Sequence, residues 1–241
     1  MHRTKRILIV LCALLLACVW LFYISKSRNF QFFGGLVNNI QTQKRIVALT
    51  FDDGPSPGNT QKTLEILRNH GIKATFFLIG REIEAYPSWL QLIMQAGHQV
   101  GNHSYSHTRM VLKSPSFVVN EITKTDEIIR EAGYTGEILF RTPYGKRLVI
   151  TPYYLRQFHK PNIFFDVEPE TYVQGSGALL EYALQHVHPG SIILLHPMYS
   201  GTGNQTLGML DNLIVELKKR DFDFVTVDEL LGQTNTVPHF W

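Results

Sequence analysis

The sequence predicts an α/β fold in which seven strands and the helices between them form an incomplete barrel behind an N-terminal membrane-spanning helix. Three observations support this prediction. Short apolar runs alternate with longer helical patterns, which is typical of βα repeats around a mostly parallel sheet. Polar side chains stand at the ends of five of the seven apolar runs, and in a barrel such ends share one rim. A separate run of 18 apolar residues lies near the N-terminus.

The composition indicates a folded protein and excludes several classes of chain. Of the 241 residues, 44% are hydrophobic and 18% charged, which excludes a disordered chain, and two cysteines exclude a disulfide-stapled miniprotein. Residues 1–28 hold five basic side chains and no acidic one, whereas the rest of the chain holds 18 basic and 20 acidic residues. Because no basic stripe remains outside the N-terminus, we expect no nucleic-acid partner.

The N-terminal apolar run, residues 7–24, predicts a transmembrane signal-anchor. As a helix it would span about 27 Å, close to the thickness of the hydrocarbon core. It continues without the small-x-small cleavage site at which a shorter signal peptide would end. More basic groups precede the run than follow it, so the positive-inside rule makes residues 1–6 a cytoplasmic tail and places the rest of the chain outside the cytoplasm.

Both cysteines, Cys12 and Cys18, lie inside the apolar run. The residues that end at Cys18 partly resemble a lipobox, so a lipoprotein signal is the alternative to an anchor. The remaining chain has no thiol to serve as a nucleophile or metal ligand. Residues 25–43 are polar with a Gly pair and predict a tether, for which an ordered first strand is the alternative. Residues 44–241 are then predicted to form one folded domain.

The barrel elements follow one another along the domain. The predicted strands are Ile46–Phe51, Ala74–Ile79, Gln99–Asn102, Ile138–Arg141, Ile163–Val167, Ile192–His196 and Phe224–Val227. The predicted helices lie near 58–70, 87–97, 115–132, 151–159, 177–188 and 205–220, and several end at a Gly. An open doubly wound sheet would gather its polar groups at one switch point, so their spread over five strand ends favours the barrel.

The first polar cluster is Asp52-Asp53, which follows the first barrel strand and precedes a Gly-Pro turn. Two adjacent carboxylates at a buried strand end need a positive partner, because burial disfavours their charged forms. One can bind a metal while the other remains free as a base. A simple polar turn is the alternative explanation of these residues.

The second cluster is a pair of histidines, His103 and His107, after the third strand. Their spacing would put both imidazoles on one side of a helical turn, an arrangement that metal sites use. Together with Asp53 they make a set of ligands that suits Zn²⁺, Fe²⁺ or Co²⁺ and leaves positions open for water and substrate. Two unrelated surface or capping histidines are the alternative.

Two further polar residues end buried strands. His196 follows four apolar residues and could donate a proton at the rim, although a hydrogen-bonded core histidine would look the same. Arg141 ends the fourth strand, and a guanidinium there needs a carboxylate partner. Asp166, Glu168 and Glu170 near the end of the fifth strand could provide it.

Together these motifs resemble those of the polysaccharide deacetylases of carbohydrate esterase family four, the NodB-homology domain. The motifs are TFDDGP (50–55), HSYSH (103–107), RTPYG (141–145) and LLH (194–196), and the resemblance covers about residues 44–231. It implies a distorted (β/α)7 barrel, which agrees with the seven predicted strands. It also implies a metal-dependent hydrolase.

The resemblance implies a role for each motif residue. Asp53, His103 and His107 would bind a divalent metal, with zinc as the first expectation.

The remaining motif residues would carry out the proton transfers. Asp52 would be the general base and Arg141 would hold it, while His196 would be the general acid. Tyr144 would bind substrate by offering its backbone N–H to the oxyanion.

One stretch departs from the family pattern. The family has an Asp followed three residues later by Asp-Trp, and its first Asp tunes the catalytic histidine. Here Glu168 aligns best with that Asp, and Thr171-Tyr172 replaces Asp-Trp. We therefore expect Glu168 to tune His196, with Asp166 as the alternative.

The expected function is the removal of acetyl groups from N-acetylated glycans of a cell wall or exopolysaccharide. The expected partners are the polysaccharide and, through residues 7–24, the membrane. Two alternatives remain: an esterase that removes O-acetyl groups with the same residues, and a non-catalytic glycan-binding protein on the same fold.

Overall fold

The strand Ile46–Asp52 is buried along its whole length and has hydrogen-bonded neighbours on both edges. It is the central strand of a computed structural model that describes residues 2–199 and 201–233 of the chain. Residues 234–241, the end of the predicted domain, lie outside the described residues.

Helices and strands alternate through most of the described chain. The strands are β1 (Leu36–Val37), β2 (Ile46–Asp52), β3 (Thr75–Leu78), β4 (Gln99–Asn102), β5 (Asn162–Ile163), β6 (Ile192–Leu195) and β7 (Asp223–Val225). The α-helices are α1 (His2–Ser25), α2 (Asn59–His70), α3 (Gly80–Ala85), α4 (Pro87–Gln95), α5 (Pro115–Glu131), α6 (Ile150–Gln157), α7 (Ser176–His186), α8 (Gly203–Lys219) and α9 (Val227–Leu231). Short 3-10 helices cover Pro143–Gly145 and Pro169–Thr171.

The main sheet is parallel, with the strand order β4-β3-β2-β6, and β7 pairs with the first half of β2. In register, Thr50 of β2 lies opposite Thr75 of β3 on one edge and Leu194 of β6 on the other. All the strand ends that carry the predicted polar groups therefore point in the same direction.

Single bridges close this sheet into a ring. Phe140 pairs with Asn102 of β4 and with Asn162 of β5, and Val167 pairs with Ile193 of β6. The predicted parallel α/β barrel is confirmed, and it is distorted because half of its wall is held by isolated bridges rather than full ladders. The predicted strand Ile138–Arg141 is present only as the bridges of Phe140.

Alternation along β2 separates two parts of the core. Val47, Leu49 and Phe51 pack in the cluster that lies between the sheet and the helices α2, α4 and α8. Ile46 and Ala48 belong to the cluster inside the barrel, which α9 closes from below. Because side chains of a strand alternate, Thr50 and Asp52 also point to the interior, toward the upper rim.

Residues 25–43 include an ordered strand, which was the alternative to a tether. Within them, β1 pairs in parallel with β5. Ile40 is buried and its N–H donates to the Gly190 carbonyl. The Ser25 carbonyl accepts the N–H of Arg147, so the segment contacts the barrel near both of its ends.

Helix α1 projects its apolar side chains into open space. Its stretch Arg3–Ser25 is long and apolar enough to cross a membrane, and none of the 18-residue apolar window within it is buried against the rest of the chain. A signal sequence near an N-terminus has the same length and composition.

Candidate active site

A groove of about 770 Å³ lies at the carboxyl ends of the barrel strands. It brings together the predicted site residues from five separate segments of the chain. Those that line it are Asp52, Asp53, His103, His107, Tyr144, Glu168 and His196, while Arg141 lies buried beneath it.

Asp53, His103 and His107 form a compact cluster of three possible metal ligands. One ligand atom from each residue lies within 4.8 Å of the other two. The Asp53 Oδ1 atom is 3.2 Å from His107 Nε2 and 3.9 Å from His103 Nε2.

A tight loop, rather than the predicted helical turn, brings the two histidines together. Ser104 and His107 both have positive φ angles, 66° and 55°, which no α-helix contains. The loop is held by side chains: the Ser104 N–H donates to Asn102 Oδ1, and the His107 N–H donates to Ser104 Oγ. The prediction that the imidazoles meet agrees with the structure, but the helical reason for it was wrong.

The donor set fits a divalent cation. Asp53 Oδ1 is buried, and no described residue forms a hydrogen bond with it. His103 Nδ1 lies 2.8 Å from the Arg141 carbonyl, and since a carbonyl only accepts, Nδ1 carries the proton and Nε2 offers a lone pair to the cluster. Burial is the largest of the effects that lower the pKa of His107 to about 3, so its imidazole is neutral and able to ligate.

Burial also raises the pKa of Asp53 above its ordinary value, since the charges of His103 and His196 offset that burial only in part. A bound cation would stabilise the charged form of a buried carboxylate that its neighbours do not fully compensate. The unpartnered oxygen and the raised pKa therefore point to the same occupant.

Asp52 lies between that cluster and Arg141. Its Oδ1 accepts a hydrogen bond of 2.6 Å from Arg141 Nη1, and its Oδ2 lies 3.5 Å from His103 Nε2. Burial acts to raise the pKa of Asp52, but the charges of Arg141, His103 and His196 outweigh it and keep the pKa below its ordinary value. Asp52 is therefore a carboxylate at neutral pH.

Arg141 is fully buried, and acceptor groups in the barrel interior fix the direction of its N–H groups. It donates to Thr50 Oγ1 and to the carbonyls of Ile163 and Phe164, and its guanidinium lies 4.1 Å from the Phe77 ring centroid. The carboxylate partner that the sequence required is thus Asp52, and not the acidic residues after the fifth strand.

His196 lies on the far side of the groove and contacts Glu170. The Glu170 carboxylate binds Nδ1 of the imidazole and accepts the backbone N–H of the same residue. Thr206 of α8 donates its hydroxyl to the other side of this carboxylate. Burial acts to lower the pKa of His196, but the hydrogen bond and charge of Glu170 outweigh it and raise the pKa to about 9.

The prediction that Glu168 tunes His196 is wrong, and so is the alternative, Asp166. Glu168 forms an ion pair with Arg28 across the groove. Asp166 accepts hydrogen bonds from the hydroxyl of Ser191 and the N–H of Ile192. The reason is the 3-10 turn at Pro169–Thr171, which redirects the chain after Glu168.

Sequence reasoning missed three contributors to the groove: Glu170 as the partner of His196, Thr206 as the support of Glu170, and Arg28 as a wall residue. Pro169 is a signal for Glu170, because proline favours the first position of a helical turn and ends the strand there. The other two come from distant segments and leave no local signal.

Tyr144 sits at the edge of the histidine cluster. Its backbone has a φ of 56°, in the left-handed region that few non-glycine residues adopt. Its ring centroid lies 4.5 Å from that of His107, and the side chain remains 55% exposed to solvent. The structure therefore brings Tyr144 to the groove as the sequence predicted.

Residues 39–161 match a family model described as polysaccharide deacetylase. A peptidoglycan-N-acetylglucosamine deacetylase of Listeria monocytogenes, PgdA, is 34% identical over 199 residues, which are 82% of this chain and 41% of that protein. The chain thus spans about two fifths of the length of this relative.

Two further relatives have lengths closer to that of this chain. A peptidoglycan-N-acetylglucosamine deacetylase of Bacillus cereus is 35% identical, with 78% of this chain and 68% of that protein covered. The crystal structure of the Bc1960 peptidoglycan N-acetylglucosamine deacetylase superposes with a TM-score of 0.77 at 31% identity, covering 82% of this chain and 93% of that one.

Proposed function

The chain belongs to the polysaccharide deacetylase family, and from that premise we propose that it hydrolyses the acetamido groups of an N-acetylated glycan. The observation that carries this proposal is the placement of Asp52 and His196 around the Asp53–His103–His107 cluster within one groove. A negative base on one side and a protonated imidazole on the other suit the two proton transfers of amide hydrolysis.

Asp53, His103 and His107 would hold a divalent cation, with zinc first among Zn²⁺, Fe²⁺ and Co²⁺ for this set of ligands. When bound, such a cation supplies Lewis acidity to the acetyl carbonyl and to the attacking water.

Asp52 acts as the general base in this proposal. It accepts a proton from the water that attacks the carbonyl carbon, and its Oδ2 is the atom free to do so, because Oδ1 is bound to Arg141. Arg141 keeps the base ionised and fixes its orientation. The Tyr144 N–H would stabilise the oxyanion that develops on the former carbonyl oxygen.

His196 acts as the general acid. The C–N bond breaks only if the nitrogen leaves as an amine, because an amide anion is too basic, and the imidazolium supplies the proton. Glu170 keeps that proton on the imidazole at neutral pH. The products are acetate and a free amino sugar.

The names of the relatives make the N-acetylglucosamine of peptidoglycan the first candidate substrate. We also propose that α1 is an uncleaved signal-anchor at residues 7–24, with residues 1–6 in the cytoplasm and the domain from residue 44 outside it. Its length, composition and open surroundings support this assignment.

The test is acetate release by the full-length protein in detergent, with and without a chelator and added divalent metals. We expect release from N-acetylglucosamine oligomers that the chelator abolishes and added metal restores. Asp52→Asn should lower kcat by about 10²–10⁴-fold, the usual contribution of general base catalysis, while metal content stays at the wild-type level.

The matched control is Asp211→Asn, which removes an exposed carboxylate that pairs with His70 on the helical surface. Full activity of Asp52→Asn would remove that residue from its role. Release from O-acetylated polymers alone would identify the esterase alternative. Glycan binding with neither metal uptake nor acetate release would favour the non-catalytic alternative.

A further inference from the structure

One end of the groove carries three cationic side chains, Lys26, Arg109 and Lys146. Among the described residues, no carboxylate lies within ion-pairing distance of any of them, in contrast to Arg28, which pairs with Glu168. The three side chains contact aromatic rings instead. Arg109 lies 5.1 Å from the Tyr144 ring centroid, and Lys26 and Lys146 both face Phe22, at 4.8 and 5.0 Å.

The three cations are close enough to affect one another. Burial, with the neighbouring charges of Lys26 and Arg109, lowers the pKa of Lys146. Like charges that are gathered without a counter-charge repel one another, and an anion that accepts hydrogen bonds from several of them would relieve that repulsion. The cluster is thus complementary to a multiply charged anion.

The cluster lies beside the reacting centre. Arg109 contacts the ring of Tyr144, whose other neighbour is the imidazole of His107. An anion held here would lie in the same groove as the acetyl group under attack. One substrate that carries both the acetylated sugar and the anion would fill both parts of the groove.

The cluster also lies at the end of α1. Lys26 directly follows the helix, and the ring shared by the two lysines, Phe22, belongs to its last turn. The Arg147 N–H donates to the carbonyl of Ser25, which joins the helix end to the loop that carries Lys146. With α1 as a membrane anchor, these cations lie where lipid phosphates lie, at the surface of the bilayer.

Resting on the proposed function, we infer that Lys26, Arg109 and Lys146 bind the phosphate or diphosphate of an acetylated sugar that is carried on a membrane lipid. The chemistry at the acetyl group is unchanged: water cleaves the amide to acetate and amine, and the phosphate ester stays intact. A phosphate suits the cluster better than a single carboxylate, because it offers more acceptor oxygens and more charge to three donors.

The test compares two lipid substrates for the full-length protein in detergent. One carries an N-acetylglucosamine oligomer on a short prenyl diphosphate, and the other carries the same oligomer on a neutral alkyl chain of equal length. The measured quantity is the ratio of kcat/KM for the charged substrate to kcat/KM for the neutral one. We expect wild type to prefer the charged substrate by at least about tenfold, and the double variant Lys26→Gln with Lys146→Gln to lose that preference.

The matched control is Lys62→Gln, on the exposed face of α2, which should keep the wild-type ratio. Equal ratios for wild type and the double variant would overturn the inference. So would a variant that keeps the ratio but binds vesicles containing phosphatidylglycerol less tightly than wild type, because the cations would then serve lipid headgroups. Release from soluble oligomers but from neither lipid substrate overturns this inference alone, whereas no release from any acetylated glycan overturns the proposed function as well.

Discussion

Glu170 holds His196 from two directions, through Nδ1 of the ring and the backbone N–H, and is itself held by Thr206. The pKa of His196 is raised from its ordinary value of 6.5 to about 9 by these contacts. A raised pKa in the folded state means that the charged pair stabilises the fold fully below pH 6.5, and that this contribution is lost as pH rises through about 9. In the proposed mechanism, the acid form of His196 is lost over the same upper range.

Glu170→Gln should therefore move the alkaline limit of activity downward. Without the carboxylate, burial dominates, and the pKa of His196 should fall from about 9 to its ordinary value of 6.5 or lower. The measurement is kcat as a function of pH for wild type and variant. Glu168→Gln is the matched control, because Glu168 contacts Arg28 instead. A downward shift in the control variant and none in Glu170→Gln would contradict the contacts described above.

The site residues that lie at strand ends were predictable from the sequence. Asp52, His103 and His196 each end or follow a buried strand, so parallel topology alone brings them to one rim. The partner of His196 was not predictable in this way. Asp166, Glu168 and Glu170 alternate along the same stretch, and the choice among them depends on a turn and on a hydroxyl from α8.

Among the elements, the fourth predicted strand has the apolar pattern of a strand but few of its hydrogen bonds. Residues 138–140 are apolar and buried as a strand would be, yet of these three only Phe140 forms bridges. Pro143 follows closely and has no N–H to donate to a ladder. Asn162 replaces part of that ladder with its side chain, whose Oδ1 accepts the N–H and hydroxyl of Thr142. Such side-chain substitution has no signature in apolar periodicity.

The segment that precedes the barrel depends on one glycine for its docking. Gly190 has a φ of 85°, and a Cβ added there would lie 1.8 Å from the carbonyl oxygen of Ile40. The two backbones also meet at this point through a hydrogen bond that the Ile40 N–H donates to the Gly190 carbonyl. Close backbone approach at this position therefore needs the absence of a side chain.

Gly190→Ala should destabilise the fold by about 3 kcal/mol or more, because the backbone of residues 36–40 must move away and release its buried side chains. Gly133→Ala is the matched control: its φ is 94°, but no atom lies within 4 Å of an added Cβ. The control should lose only about 1–2 kcal/mol, from backbone strain. Thermal unfolding of both variants in detergent measures the difference, and equal losses would show that the contact with Ile40 is unimportant.

For the molecule as a whole, the proposed role of α1 can be tested by where the protein resides. We expect the full-length chain to stay in the membrane fraction after carbonate washing, because Arg3–Ser25 is long and apolar enough to span a bilayer and its 18-residue apolar window is not buried against the rest of the chain. The measurement is fractionation of cells that express the chain, followed by mass determination of its N-terminus. Recovery of a soluble chain that begins after residue 24 would show a cleaved signal, and a lipid on Cys18 would show the lipoprotein alternative.

The large-scale organisation was predictable only in parts. A long apolar run and repeated strand–helix patterns identify an anchor-like helix and a barrel independently of each other. Their mutual arrangement was not predictable, because it rests on distant contacts such as the one between Arg28 and Glu168. Composition alone describes residues 25–43 as a tether, since a short strand of two residues carries too little apolar pattern to be recognised.

With α1 in the bilayer as proposed, the docking of residues 25–40 along the barrel would fix the distance between the groove and the membrane surface. A flexible linker would let the domain reach glycans at many distances from the membrane. Here the carbonyl of Ser25, at the end of α1, accepts a hydrogen bond from the N–H of Arg147 beside the groove. Little flexible chain therefore remains between the helix and the barrel. The domain would then stay close to the membrane surface. It would act on glycans near that surface rather than on glycans already built into distant layers of the cell envelope.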